Sequence, residues 1–240
     1  MGARFDHLVV AVADLDEAAA RWRAAGLPAE RGGAHPVGTE NVLVRGPGPA
    51  YVELIAAGSD ESNPWLDRIR SARGPISWAV AVDDLDEART ALEAAGFDPD
   101  PPVPGSRRTP AGDLLEWRVC DVGPGPYDGS LPFLIEWTTP MVAGPADGPV
   151  VATVVWTPTD PDRVAELLVA LGLDPVRHDE SLGLVVDGSA ADGTARWSMV
   201  WDDDGSVPAV TLELAVRETD AVPAVVLDGV AVVRWPARLS

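Results

Sequence analysis

Residues 10–18 read VAVADLDEA and residues 80–88 read VAVDDLDEA. The two stretches differ at one position and lie 70 residues apart. The same offset lays Ala24-Ala25-Gly26 on Ala94-Ala95-Gly96. Repetition at this spacing means that one supersecondary unit has been duplicated. Each copy opens on a β-rich run, Leu8 to Val12 and Trp78 to Val82. Asp14 or Asp84 then stands as an N-cap with Glu17 or Glu87 three residues on, the signature of a capping box. Leu15, Ala18, Ala19 and Trp22 share one helical face in the first copy; Leu85, Ala88, Leu92 and Ala95 do so in the second. Gly26 and Gly96 end those helices, as a glycine in the left-handed region does. Gly/Pro-punctuated β segments follow, over about 34–56 and 103–137, closing on Tyr51-Val52-Glu53-Leu54-Ile55 and Phe133-Leu134-Ile135-Glu136-Trp137.

A third, divergent copy begins beyond the Pro/Gly-rich stretch 140–149. Val151–Trp156 reads as a strand and Asp160-Pro161 as an N-cap with a first-turn proline. Val164, Leu167, Leu168 and Leu171 form an apolar face ended by Gly172, with strands near 182–187, 195–201, 208–216 and 224–235. The expected architecture is α+β, built of tandem βαβββ modules. Module one spans 1–70 and module two 71–139; they pair into a curved-sheet cleft, and the divergent module occupies 150–240. Side chains alternate along a strand, so every second residue faces the cleft. An unpaired third module must cover its concave face on the first two or on a second chain, which makes a homodimer plausible.

The 240 residues carry 38 acidic and 18 basic side chains, a net charge of −20. Such a chain repels phosphate backbones and anionic lipid, so neither nucleic acid nor a membrane is an expected partner. All basic residues are Arg. Without Lys there is no Schiff base and no Walker A loop; nor is there a G-x-G-x-x-G after a strand or a G-x-S-x-G elbow. No nucleotide, flavin or pyridoxal phosphate is therefore expected. Cys120 is the only cysteine, which excludes an intrachain disulfide and a Cys-based zinc site. No apolar run reaches the roughly 18 residues of a membrane span. Residues 1–7 lack a signal-peptide core, so a cytoplasmic location is expected.

FDHLVVAVADLDEAAARW (5–22), with the closing strands YVELIA and LPFLIEW, resembles the glyoxalase-like proteins of the vicinal oxygen chelate superfamily. GGAHPVGTENVLV (32–44) and SRRTPAGDLLEWRV (106–119) are similar to the signatures of one glyoxalase-like subfamily. The likeness covers about residues 5–138. It implies one metal ligand from the first and one from the closing strand of each module. Carried over, these are His7 and Glu53, then Ser77 and Glu136, with serine a departure from the pattern. His7, Glu53 and Glu136 would suit Zn, Mn, Fe or Ni, with open positions for a chelating substrate. The alternative is a metal-free cleft in which Asp6-His7 is a turn cap followed by a half-exposed His, and Glu53 and Glu136 orient Arg side chains.

His35, Thr39 and Asn41 lie in a Gly-flanked segment and are candidates to touch ligand, His35 as a general base. The alternative is a turn in which Thr39 and Asn41 satisfy their own backbone. Of the pair Arg107-Arg108, Arg108 is the candidate clamp for a carboxylate, against a surface ion pair. Trp78, Trp117 and Trp137 could wall a pocket or simply be core, with one of the three expected at the ligand. Cys120 reads as a buried structural thiol and His178 as solvated. Thr153 and Glu213 occupy the ligand positions of the third module, which has no His there. Asp202-Asp203-Asp204-Gly205 reads as a hairpin turn.

Three functions stay open. One is an enzyme of lyase or isomerase type, transferring a proton in a small oxygenated metabolite with His35 or Glu53 as base and metal assistance. Another is a non-catalytic small-molecule or drug-binding protein. An array of modules serving assembly alone is a third.

Overall fold

A computed structural model of the chain describes residues 2–58, 64–123, 129–186, 196–202 and 224–235. Asp14 and Asp84 sit in extended backbone, and each carboxylate accepts from the second and third following amides. Those contacts start helix α1 (Leu15–Ala24) after strand β1 (Ala3–Ala11), and helix α3 (Leu85–Ala94) after strand β5 (Gly74–Val82). Satisfying orphan N-terminal amides this way contributes about 1 kcal/mol per helix. Gly26 and Gly96 follow at φ 76° and 82°, so the left-handed turn out of each helix is present in both copies.

The first copy continues with β2 (Ala29–Ala34), β3 (Thr39–Val44) and β4 (Tyr51–Ala57); the short helix α2 (Pro64–Ser71) leads to the second. There β6 (Val103–Arg108), β7 (Leu114–Cys120) and β8 (Phe133–Trp137) follow α3. These strands close into one eight-stranded barrel in the order β1-β4-β3-β2-β6-β7-β8-β5. The pairing of the two modules is thus a full ring. Its two joins differ. β1 and β5 run antiparallel from Ala3↔Val82 to Ala11↔Gly74. β2 and β6 meet at the single pair Ala34↔Arg108. At that join Gly33 has φ 138°, and a Cβ there would collide with the Arg108 carbonyl oxygen. Only glycine permits this approach.

The third module opens as β9 (Val150–Thr157) and α4 (Pro161–Ala170), capped by Asp160 with Pro161 at its start. With β10 (Val176–His178), β11 (Ser181–Val185), β12 (Arg196–Asp202), β13 (Val225–Leu227) and β14 (Val230–Trp235) it forms a sheet ordered β10-β11-β9-β12-β14-β13. Its β9 lies between β11 and β12, parallel to β12 as β1 is to β4. The strand expected over 208–216, Glu213 and residues 203–205 lie outside the described residues. Thr153 bonds Ser198 within the sheet, at 2.5 Å, and is not among the residues that line the barrel cavity. His178 lies in edge strand β10 and is half-buried rather than fully solvated.

The third module packs on the first two through its α4-bearing face; the opposite, concave face, with Val155, Val200, Ala231 and Val233, forms a separate cluster and, among the described residues, does not meet the barrel. Trp156, Trp197, Met199, Trp201, Val230 and Val232 join one continuous core with Trp22 of α1, Leu92 of α3, Leu167 of α4 and the outer faces of β1 and β5. Each such side chain contributes about 1.5–3 kcal/mol on burial. The core also holds Trp78, which corrects its assignment to a ligand. Ser77 faces the barrel lumen, so Trp78 next to it must face out. Its ring lies 5.0 Å from Trp156 and 6.4 Å from Phe5. Polar tethers back the contact: Asp228 accepts from Arg21 Nη2 at 2.6 Å and from Trp22 Nε1 at 2.8 Å. Among the described residues no helix is long and apolar enough to cross a membrane.

Candidate functional site

The inner faces of both modules enclose a cavity of about 150 Å³. Its polar floor comes from module one. Tyr51, Glu53 and Ile55 point inward from β4 by strand alternation, as His7 and Val9 do from β1. Next to His7 the ladder skips from Phe5↔Val80 to His7↔Ala79, leaving Asp6 as an extra residue in β1. A bulge of this kind turns consecutive side chains toward one side. Asp6 and His7 are accordingly both buried, and Asp6 Oδ2 lies 2.8 Å from His7 Nδ1. Asp6 Oδ1 accepts from Trp137 Nε1 at 3.3 Å.

Glu53 is the centre of the floor. His7 Nε2 lies 3.6 Å from its Oε2, and His35 Nε2 lies 3.8 Å from its Oε1. Asn41 Nδ2 donates to Oε1 at 2.6 Å. His35 is placed by the β2–β3 hairpin: its amide donates to Thr39 O, Gly38 closes the turn at φ 90°, and its Nδ1 lies 2.7 Å from Thr39 Oγ1. Gly32 leaves room for the Asn41 amide, which a Cβ there would strike. Burial lowers the His35 imidazole below its ordinary 6.5, against the pull of Glu53. The ring is therefore neutral at neutral pH. Tyr51 stacks on His7 at 4.7 Å. Its burial, reinforced by Asp6 and Glu53, holds the phenol well above 10, so its hydroxyl keeps its proton.

Module two supplies the opposite wall. Trp117 approaches His35 edge-on at 6.0 Å and Trp137 at 5.3 Å. Gly105, paired across from Trp117 on β6, leaves space for the indole. Phe133 packs edge-on against His7 at 5.5 Å. Arg107, 4% exposed, reaches the cavity and donates to the Gly32 carbonyl. Asp121 stands at the rim of β7; burial and Asp100 push its carboxyl up to about 6.

A family model for the glyoxalase-like domain matches residues 5–172. The chain belongs to the glyoxalase-like domain family. No curated protein matches it. Among solved structures, a hypothetical protein from Staphylococcus aureus has 16% identity and a TM-score of 0.64, over 98% of this chain and 99% of that one. Methylmalonyl-CoA epimerase from Mycobacterium tuberculosis has 24% identity and a TM-score of 0.42, over 56% and 86%. That of Streptomyces coelicolor, crystallised with 2-nitronate-propionyl-CoA, has 19% and 0.43, over 57% and 98%. These likenesses concern the fold alone.

For this glyoxalase-like protein the expected residues divide. His7, His35, Thr39, Asn41, Glu53 and Trp117 meet in the cavity. Of the tryptophans considered, two rather than one reach it, Trp117 and Trp137. Arg108 is an error of parity: it is exposed and donates to Gly112 O at 3.1 Å, while Arg107 turns inward. Glu136 is a second such error. Phe133, Ile135 and Trp137 face the lumen, so Glu136 faces α3, where its Oε2 accepts from Leu85 N at 3.0 Å and pairs with Arg118 at 2.5 Å.

The register shows what stands in its place. Glu53 pairs with Val9 on β1; seventy residues on, Ala79 pairs with Phe133 on β8. Phe133 is therefore the counterpart of Glu53. The four positions at which the family holds a metal carry His7, Glu53, Ser77 and Phe133, leaving two strong ligands, both from module one. His35 does not complete the set, because it faces the Glu53 oxygen already taken by Asn41. Among the described residues no three His, Cys, Asp or Glu side chains are disposed to hold a metal ion. The residues do not fit the family's divalent ion. Tyr51 and Asp6 were missed in the sequence. Tyr51 could have been found by counting two residues back from Glu53; the bulge that turns Asp6 inward leaves no sequence signal.

Proposed function

We propose that this cavity is the active site of a lyase- or isomerase-type enzyme that transfers a proton at a carbon beside a carbonyl in a small oxygenated molecule. The observation that carries the reading is Glu53, a buried carboxylate with one oxygen held by Asn41 and the other left toward the cavity. Oε2 is the atom placed to remove the proton. As the C–H bond breaks, its electron pair moves onto the carbonyl, and the new enolate oxygen needs a donor. Tyr51, kept protonated by burial, is that donor. Asp6 fixes His7 through Nδ1 and so aims Nε2 at Glu53. Glu53, protonated at Oε2 by the first step, returns that proton to the intermediate, and neutral His35 beside it can take one up. Arg107 supplies the positive charge for a substrate carboxylate, the role expected of its neighbour. The aromatic wall of Trp117 and Trp137 excludes water.

That same wall supports a second reading, a cavity that binds a small molecule without changing it. Deuterium exchange separates the two. Pyruvate, 2-oxobutyrate and acetoacetate are incubated with the protein in D2O, and exchange beside the carbonyl is followed by NMR. Exchange above the buffer rate that stops in a folded Glu53→Gln variant supports the enzyme. Saturable binding with no exchange, equal in wild type and variant, supports the binder.

A further inference from the structure

A second cavity, of about 380 Å³, lies at the end of the barrel lined by residues 47–49 and 140–143. Tyr51 and Trp137 line both cavities. The charge on this second wall is unlike that of the rest of the molecule. The chain carries −20, yet two arginines, Arg4 and Arg45, face the same space. Arg4 makes no ion pair among the described residues. Arg45 is only 14% exposed, and its Nη2 comes no closer than 4.0 Å to Glu30, itself half-exposed. Nη1 donates to the Val142 carbonyl, and Nε, fully buried, has no hydrogen-bond partner. Burial also lowers the Arg45 pKa, with Arg107 adding repulsion. Asp6 is the carboxylate at this wall, and both its oxygens are engaged, by His7 and by Trp137.

A half-buried guanidinium with a buried, unpartnered Nε–H and only an exposed carboxylate at 4.0 Å is poorly compensated, and a closer anion would pair with it favourably. A planar fork of N–H donors matches a carboxylate or a phosphate, and in a low-dielectric recess such hydrogen bonds are strong. We infer that this second cavity is a binding site for the oxyanion of a small molecule, a carboxylate or a phosphate, held between Arg4 and Arg45. The site is distinct from Glu53 and does not depend on the reaction proposed for it. Because Tyr51 and Trp137 separate the two spaces, an occupant of one changes the wall of the other.

The test uses the full chain. Acetate and inorganic phosphate are titrated separately at constant ionic strength while the Nε–H resonances of the arginines are followed by NMR. A saturable shift of the Arg45 resonance with either anion is expected, and which anion shifts it tells carboxylate from phosphate. In Arg4→Gln and in Arg45→Gln the affinity should fall about tenfold or more, the loss of one charge-assisted hydrogen bond. Arg4→Gln alters an exposed side chain, so it stays informative if Arg45→Gln fails to fold. Glu53→Gln should bind the anion as wild type does. No saturable shift with either anion overturns the inference, as does unchanged affinity in a folded Arg4→Gln variant. Loss of binding in Glu53→Gln also overturns it, since the anion would then sit in the first cavity.

Discussion

Replacing Trp78 by alanine should cost stability and leave the cavity alone. The indole is 1% exposed and packs on Phe5 and Trp156, where the barrel meets the third sheet. Removing a fully buried Trp costs about 3–5 kcal/mol. For a chain of this length that lowers the melting temperature by about 6–20 °C, at about 2–4 °C per kcal/mol. Phenylalanine should behave differently. Trp78 Nε1 is buried without a partner, and an orphan donor costs about 1–3 kcal/mol. Trp78→Phe removes that N–H while keeping most of the aromatic contact, so its net cost should stay below about 2 kcal/mol. Urea unfolding followed by far-UV circular dichroism measures both variants without relying on the fluorescence of the other tryptophans. The reasoning fails if Trp78→Ala costs under about 1 kcal/mol and instead weakens a ligand of the Glu53 cavity. That pair of results would put the indole inside the barrel.

Glu136→Ala should lose about 1–2 kcal/mol, by freeing the Leu85 amide and a partly exposed Arg118, and should leave the response to added Mn²⁺, Ni²⁺ or Zn²⁺ unchanged; a selective loss of metal binding would restore it as a ligand. His35 has a folded pKa below its unfolded 6.5, so folded and unfolded chains are equally neutral above that pH. Below it the unfolded chain takes up the proton first, and this group's contribution drains away as pH falls until the folded pKa is passed. His35→Gln should therefore flatten the stability profile on the acid side of 6.5, and an unchanged slope there would contradict the burial of the ring. Cys120 is buried, its Sγ 3.0 Å from the Asp100 carbonyl oxygen, and its thiol is pushed up to about 11. It should resist Ellman's reagent in the native state and react once the chain is unfolded; rapid native labelling would argue against that burial.

The repeat, its capping carboxylates and its terminal glycines were open to reading because they are local: a cap is set by residues within four positions of one another. Module one's floor was also within reach, since His7, His35, Thr39, Asn41 and Glu53 sit in three short segments. Module two resisted for one physical reason. Strand faces alternate with a period of two, so a slip of one residue exchanges lumen for outer layer. That exchange separates Arg107 from Arg108 and Ser77 from Trp78. Glu136 adds a slip of three. The acid of LIEW drew the alignment away from the pairing that places Phe133 opposite Ala79. Acid type alone did not reveal the register; the ladder did. The order of the third sheet was beyond reach as well, because it depends on pairings between strands far apart in sequence.

The unequal joins of the barrel give the molecule a spine and a clasp. Along β1 and β5 the two halves are laced over nearly the whole strand length, while β2 and β6 touch at Ala34 and Arg108, helped by the reach of Arg107 to Gly32. Parting the clasp breaks few bonds and leaves the spine, with the third sheet bolted behind it, untouched. His35 is carried on the hairpin beside that clasp, so any swing there moves the imidazole relative to Glu53. Amide exchange along 32–35 and 106–108 should accordingly outrun that along 8–11 and 77–81.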